Sequence, residues 1–159
     1  MTASLLPVIG KPAPDFSLPS STGETVTLRQ FKGKKTVVLY FYPKDETPGC
    51  TKEACSLRDL NEEFDRQGAV ILGVSTDGID SHKAFIAKHR LPFALLSDED
   101  ASVSKRYGVY KQRNLYGKKY MGIERTTFVI DRTGRIAQIW PKVKVDGHIQ
   151  DVLEFVAED

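Results

Sequence analysis

The chain has 159 residues, 28% of them charged and 40% hydrophobic, with a formal net charge of +2. That length suits one domain with a real core, and so small a net charge excludes the strong field by which nucleic-acid or anionic-membrane binders act. The opening MTASLLPVIG has no basic n-region and Pro7 interrupts its short apolar run, so no signal peptide is expected, and no stretch approaches the length of a membrane span. Two cysteines, Cys50 and Cys55, are too few for a secreted disulfide framework. A zinc site would need further ligands, and His82, His89 and His148 lack finger-like spacing. Gly73 and Gly78 form no phosphate-binding fingerprint. No metal and no cofactor are therefore expected, and a working dithiol in a reducing, cytoplasmic setting is the inference.

In chain order, the Pro12, Pro14 and Pro19 region predicts irregular backbone with a short strand at Phe16 to Leu18. After the turn Ser21-Thr22-Gly23-Glu24, Val26 to Leu28 predicts another. Thr36 to Tyr42 is a β-branched and aromatic run without clean alternation, the pattern of a strand buried on both faces, and Pro43 ends it. Pro48 and Gly49 prepare a helix predicted from Cys50 to Asp65, with Ala54, Leu57, Leu60, Asn61 and Phe64 at helical spacing and Gly68 as the stop. Ala69 to Ser75 predicts a buried strand, and Asp80 to His89 an amphipathic helix capped by Asp80 or Ser81. Phe93 to Leu96 predicts a short strand, and Asp98 to Arg106 a helix. Thr126 to Ile130 and Arg135 to Trp140 predict a hairpin bent at Gly134. Asp146 is the expected cap of a final helix running through Val156.

Strands alternating with helices imply crossovers and a central sheet covered on both faces, with antiparallel pairing added by the last hairpin. The fold class is α/β: a thioredoxin-like mixed sheet flanked by helices, with an N-terminal β extension, in one domain over residues 1–159. There is no internal repeat and no linker.

Chemistry concentrates at Pro43-x-x-x-Thr47-x-x-Cys50. A cysteine in the first turn of a helix meets free backbone N–H groups and partial positive charge, a setting that favours a thiolate. Ionisation alone gains little. Lowering a thiol's pKa from about 8.5 to about 6 raises the thiolate fraction at neutral pH roughly thirtyfold. A Brønsted slope of about 0.4–0.5 returns roughly tenfold of that in nucleophilicity. A fast reaction of such a thiolate therefore needs donors aimed at the atoms on which charge develops. Thr47 offers a hydroxyl, Gly49 and Cys50 offer amides, and a guanidinium would add a fixed fork of N–H groups.

The run Tyr42-Pro43-Lys44-Asp45-Glu46-Thr47-Pro48-Gly49-Cys50-Thr51 resembles the active-site signature of peroxiredoxins. Cys55 is similar to the resolving cysteine of the bacterioferritin-comigratory, or Q-type, branch. Arg125-Thr126-Thr127-Phe128-Val129-Ile130-Asp131 resembles that family's later Arg-bearing strand, and Phe16 to Pro19, Leu72 to Asp77 and Leu95 to Asp98 extend the likeness along the chain. The resemblance implies a peroxidatic Cys50 that becomes a sulfenic acid, shielded by Pro43, with Thr47 and the amides at Gly49 and Cys50 binding a hydroperoxide. It implies that Arg125 holds thiolate and substrate, that Glu53 orients Arg125, and that Cys55 closes an intramolecular Cys50–Cys55 disulfide. Thioredoxin or a similar dithiol would reopen that bond. An intramolecular pair removes the need for a dimer, so a monomer is expected.

Five helical residues give a rise of about 7.5 Å and a rotation of about 140°, hence Cα atoms roughly 8–9 Å apart. A disulfide bridges at most about 7 Å, so the first turns of the helix are expected to unwind before the bond closes. Taken singly, each residue has a plainer reading. Cys50 is then an inert buried thiol, Cys55 core filling, Thr47 only a cap, Pro43 only a strand end, Arg125 a strand charge, and Glu53 an ordinary first-turn acid. The histidines read as surface or capping groups rather than catalytic ones. Lys111, Arg113, Lys118 and Lys119 read as a solvated face, with docking of a reductant as the alternative. Two rival functions share the fold: a disulfide reductase, although here four residues rather than two separate the cysteines, and a non-enzymatic redox sensor or holdase.

Overall fold

The computed structural model describes residues 6–158. Residues 1–5, the start of the stretch read above for a leader, lie outside the described residues. β1 (Ser17–Pro19) and β2 (Thr25–Thr27) pair antiparallel as a small separate sheet. The central sheet has the order β5-β4-β3-β8-β9. β3 (Thr36–Phe41), β4 (Ala69–Ser75) and β5 (Ala94–Ser97) run parallel, and β8 (Thr126–Ile130) and β9 (Ile136–Trp140) are antiparallel additions.

The unbroken apolar run of β3 is explained by burial on both faces. Val37, Leu39 and Phe41 join a core with Phe16, Leu18 and Val26 of the N-terminal extension and with Val103 of α4 (Ser102–Arg106). Val38, Tyr40 and Tyr42 face the other way. They pack with Ala54 and Leu57 of α1 (Pro48–Asp59), Phe64 of α2 (Asn61–Arg66), Phe85 of α3 (Ile79–His89) and Val152 of α5 (His148–Glu158). This is the thioredoxin-like α/β arrangement that the alternating pattern implied.

Several elements differ from the expectation. The single helix over Cys50–Asp65 is two, broken at Leu60 (φ −104°, ψ 7°). Neither glycine nor proline marks that break, and the apolar period continues through it. Asp98 does not open a helix. Ala101 takes a left-handed φ of 60° and α4 starts after it, while the Asp98 carboxylate accepts the N–H groups of Val103 (3.2 Å) and Ser104 (2.7 Å) from outside. α3 is capped by Gly78 without a side-chain bond, so neither Asp80 nor Ser81 serves, and Ser81 donates to Asp45 instead. The final helix begins at His148, with Gly147 rather than the expected cap Asp146 directly before it, and the Asp146 carboxylate pairs with Lys52 instead. The stretch read only as a solvated basic face is an antiparallel hairpin of β6 (Tyr110–Leu115) and β7 (Lys118–Ile123), turned through Tyr116 and Gly117, both at positive φ.

Candidate active site

The register of the sheet assembles the site. β3 runs parallel to β4 and antiparallel to β8, with Phe41 opposite Thr126. The loop that leaves β3 and the residue that precedes β8 therefore meet at one sheet end. The loop is Pro43–Thr47 and the residue is Arg125.

Asp45 anchors that loop from within. Its carboxylate accepts the Tyr42 hydroxyl (2.6 Å) and the Ser81 hydroxyl (2.8 Å) and lies 2.7 Å from Nδ1 of His82. Burial pushes this carboxyl up, but the bonds from His82, Tyr42 and Ser81 win and hold it below the usual carboxylate range. The Asp45 N–H donates to Asp77 (2.8 Å), and Nε2 of His82 faces the Leu96 carbonyl (3.0 Å). The loop thus enters α1 from a fixed position. Pro43 and Thr47 are half-buried at its two ends. Thr47 stands at the N-cap position but makes no side-chain cap bond; its hydroxyl donates to the Lys44 carbonyl (2.9 Å). The first bonded amide of the helix is that of Thr51, on the Thr47 carbonyl, so the N–H groups of Gly49 and Cys50 have no intrahelical acceptor.

Cys50 is 1% exposed, yet its surroundings are not simply apolar: Nη2 of Arg125 lies 3.3 Å from its Sγ. Nη1 of the same guanidinium donates to Oε1 of Glu53 at 2.7 Å, where Glu53 is completely buried. One fork thus spans a sulfur and a carboxylate three residues apart on one helix face. Gly49 makes room for it, because a Cβ there would stand 3.1 Å from Nη2. Oε2 of Glu53 has no hydrogen-bond partner, and burial outweighs the opposing charge and hydrogen bond of Arg125, pushing the Glu53 carboxyl up to about 7. The Tyr40 hydroxyl is also buried and unpartnered, and burial followed by the charges of Glu53 and Cys50 keeps it protonated.

Cys50, Gly49, Glu53 and Arg125 are therefore in one cluster, with Thr47 and Pro43 on the loop beside it. Both thiols are free and α1 is intact around them. Cys55 sits on the flank of α1 against α3, with its Sγ 3.9 Å from Nδ1 of His89. The histidines depart from the surface reading: His82 is fully buried and His148 nearly so, with Nε2 of His148 2.8 Å from the Thr127 hydroxyl. Burial, with the Arg125 charge behind it, outweighs Asp151 and pushes His148 down to about 4. A signal for α3 was available, since His82, Phe85 and His89 share one helix face at spacings of three and seven. Nothing comparable marked His148 or Tyr40. Among the described residues, Asp45, Asp77 and His82 are the one group close enough to hold a metal, and their polar atoms already bond one another and the backbone.

A model of the AhpC/TSA family matches residues 9–139. The chain belongs to that family. Peroxiredoxin Bcp of Bacillus subtilis is 51% identical over 146 residues, covering 92% of each chain. Peroxiredoxin Bcp of Escherichia coli is 44% identical over 149 residues, covering 94% of this chain and 95% of the relative. The bacterioferritin comigratory protein of Xanthomonas campestris, whose trapped intermediate and ligand complexes concern alkyl peroxide reduction, superposes with a TM-score of 0.88 at 42% identity, over 95% of this chain and 98% of that one. This peroxiredoxin is thus a thiol peroxidase of the Bcp group, acting on hydroperoxides. No helix among the described residues is long and apolar enough to cross a membrane.

Proposed function

We propose that the peroxiredoxin reduces hydrogen peroxide and organic hydroperoxides in the cytoplasm as a monomer, using its whole length as one domain. Cys50 attacks, Cys55 resolves, and thioredoxin or a similar dithiol restores both thiols. The observation that carries this reading is the Arg125 guanidinium at 3.3 Å from Sγ of Cys50 and 2.7 Å from Glu53. A cation held there stabilises negative charge on sulfur before the reaction and on the departing oxygen during it.

In the first step the Cys50 sulfur lone pair attacks the terminal peroxide oxygen. The O–O bond breaks with its electron pair on the leaving oxygen, which takes a proton and departs as alcohol or water. Cys50 becomes a sulfenic acid. The amides of Gly49 and Cys50, the Thr47 hydroxyl and Arg125 are the donors placed to hold the two oxygens, with Thr47 turning from the Lys44 carbonyl. Pro43 shields the pocket. Cys55 then displaces water to form the disulfide, which requires the first turns of α1 to unwind.

The deciding experiment is peroxide-dependent NADPH consumption through thioredoxin and its reductase. Wild type should turn over and Cys50→Ser should show no activity. Cys55→Ser should consume about one equivalent of peroxide and then stop. Sustained thioredoxin-driven turnover by Cys55→Ser would remove Cys55 from the cycle. Insulin reduction without peroxide consumption would favour a disulfide reductase.

A further inference from the structure

We propose that His89 is the base that takes the proton of Cys55, with Glu46 as the carboxylate that balances the charge the ring gains; this rests on the resolving role of Cys55. Nδ1 of His89 is 3.9 Å from the Cys55 sulfur, within hydrogen-bond range for so large an atom. The opposite nitrogen, Nε2, is buried and has no hydrogen-bond partner, but Oε1 of Glu46 stands 3.5 Å from it. The ring is fixed in this line. It packs T-shaped with the Phe85 ring, centroids 5.2 Å apart, and the side chain is only 19% exposed. Sulfur, imidazole and carboxylate in sequence form the arrangement by which a thiol loses its proton to a ring whose growing charge a carboxylate balances.

Glu46 belongs to the loop between Pro43 and Thr47 and takes a left-handed φ of 67°, an unusual conformation for a non-glycine residue that directs it toward α3. The other charged groups on this flank are Lys88, 3.5 Å from the same Glu46 oxygen, and Arg58, paired with Asp59. Arg58 also donates to the His89 carbonyl at 2.9 Å. That bond pins α1, one turn beyond Cys55, to the end of α3. Unwinding from Pro48 therefore carries Cys50 toward Cys55, while Cys55 stays beside His89.

The step balances as follows. The Cys55 proton passes to Nδ1 of His89, and the Cys55 sulfur lone pair attacks the sulfur of the Cys50 sulfenic acid. The S–O bond breaks with its electrons on oxygen, and the leaving hydroxide takes up a proton to become water. The Cys50 sulfur is reduced by one formal unit and the Cys55 sulfur is oxidised by one.

The test places Cys55 alone in a Cys50→Ser background and measures its alkylation by iodoacetamide at pH 7. His89→Gln should slow alkylation by about fivefold and Glu46→Gln by about twofold. If His89 only packed against Cys55, His89→Gln would loosen the site and alkylation would be unchanged or faster, which overturns the proposal. In the two-cysteine protein, rapid mixing with one equivalent of peroxide should show an unchanged first phase and a disulfide phase slowed by a similar factor in His89→Gln. A disulfide phase of equal rate in both proteins sinks the proposal alone. Absence of any Cys50–Cys55 disulfide in the parent, read by mass spectrometry, sinks instead the resolving role on which it rests.

Discussion

Replacing Glu53 with glutamine isolates the energetic consequence of burying a carboxylate beside the Cys50 sulfur. Glutamine keeps the shape and keeps an oxygen to accept from Nη1 of Arg125, but it cannot ionise. In the wild type the folded-state value of about 7 lies above the ordinary 4.5, because burial, with Oε2 unpartnered, outweighs the Arg125 cation. The sign follows from linkage. Between about 4.5 and 7 the folded protein holds more protons at this site than the unfolded chain does. Stability from Glu53 is thus fully present below the lower value and is lost as pH rises through the upper one. Integrating the two titrations gives a loss of under about 1 kcal/mol at pH 5 and about 3 kcal/mol at pH 8.

The stability of Glu53→Gln relative to wild type should therefore increase by about 2–3 kcal/mol between pH 5 and pH 8, or about 5–10 °C in Tm for a chain of this size. The comparison must be made variant against wild type at each pH. His148, pushed down to about 4, contributes stability that is lost as pH falls from 6.5 through that value, so the wild-type curve alone mixes opposite slopes. Guanidinium unfolding of the reduced proteins at the two pH values measures the gap. A gap that stays constant within ~0.5 kcal/mol, or that narrows at pH 8, would show that Arg125 repays the buried charge in full.

Two other substitutions test the guanidinium geometry. Arg125→Lys keeps the charge but loses the fork that reaches Sγ of Cys50 and Oε1 of Glu53 together, so the rapid-mixing rate with peroxide should fall about 10²-fold; a fall of less than threefold would mean that charge alone suffices. Gly49→Ala adds a Cβ that would stand 3.1 Å from Nη2. It should lower the same rate by about three- to tenfold while leaving stability within ~1 kcal/mol, because alanine is the better helix former, and an unaltered rate would show that Arg125 shifts freely.

The parts legible in the sequence were those with strong local signatures. The apolar run of β3 showed that both faces of the sheet are covered, and the Pro-Gly-Cys start of α1 marked where a thiol meets a helix terminus. The cluster itself depends on pairing across the sheet. That Arg125 reaches Cys50 follows from the register of Phe41 opposite Thr126, and neither residue type nor periodicity encodes that register; the family likeness supplied the connection. The β6–β7 hairpin was illegible for another reason: its strands are polar and largely exposed, so no buried face imposes alternation. His82 and His148 were misplaced at the surface because burial of a histidine depends on a partner from a distant segment, here Asp45 and Thr127.

The buried carboxylate of Glu53 also bears on the speed of the proposed disulfide step, since it lies on the helix segment that this step would open. Cys50, Glu53 and Ala54 are buried in the first turns of α1, and Leu57 anchors the turns that follow. Unwinding from Pro48 as far as Cys55 returns Glu53 to water while Leu57 and the Arg58 bond to α3 remain. Above pH 7 the charged Glu53 raises the energy of the closed helix and loses that penalty on opening, so it narrows the gap between the peroxide-binding and disulfide-forming states. Glu53→Gln removes the penalty only from the closed state. At pH 8 the variant should therefore form the Cys50–Cys55 disulfide more slowly, by up to about 10²-fold if the whole ~3 kcal/mol is released on opening. At pH 5 the two proteins should differ little. Tryptophan fluorescence of Trp140 after rapid mixing with peroxide, or quenched samples read by mass spectrometry, gives the rate. The variant should also accumulate more sulfinic acid at high peroxide, because its sulfenic acid waits longer for Cys55. Equal or faster disulfide formation in the variant at pH 8 would show that opening is limited elsewhere, at the Pro43–Thr47 loop or at the Arg58 clamp.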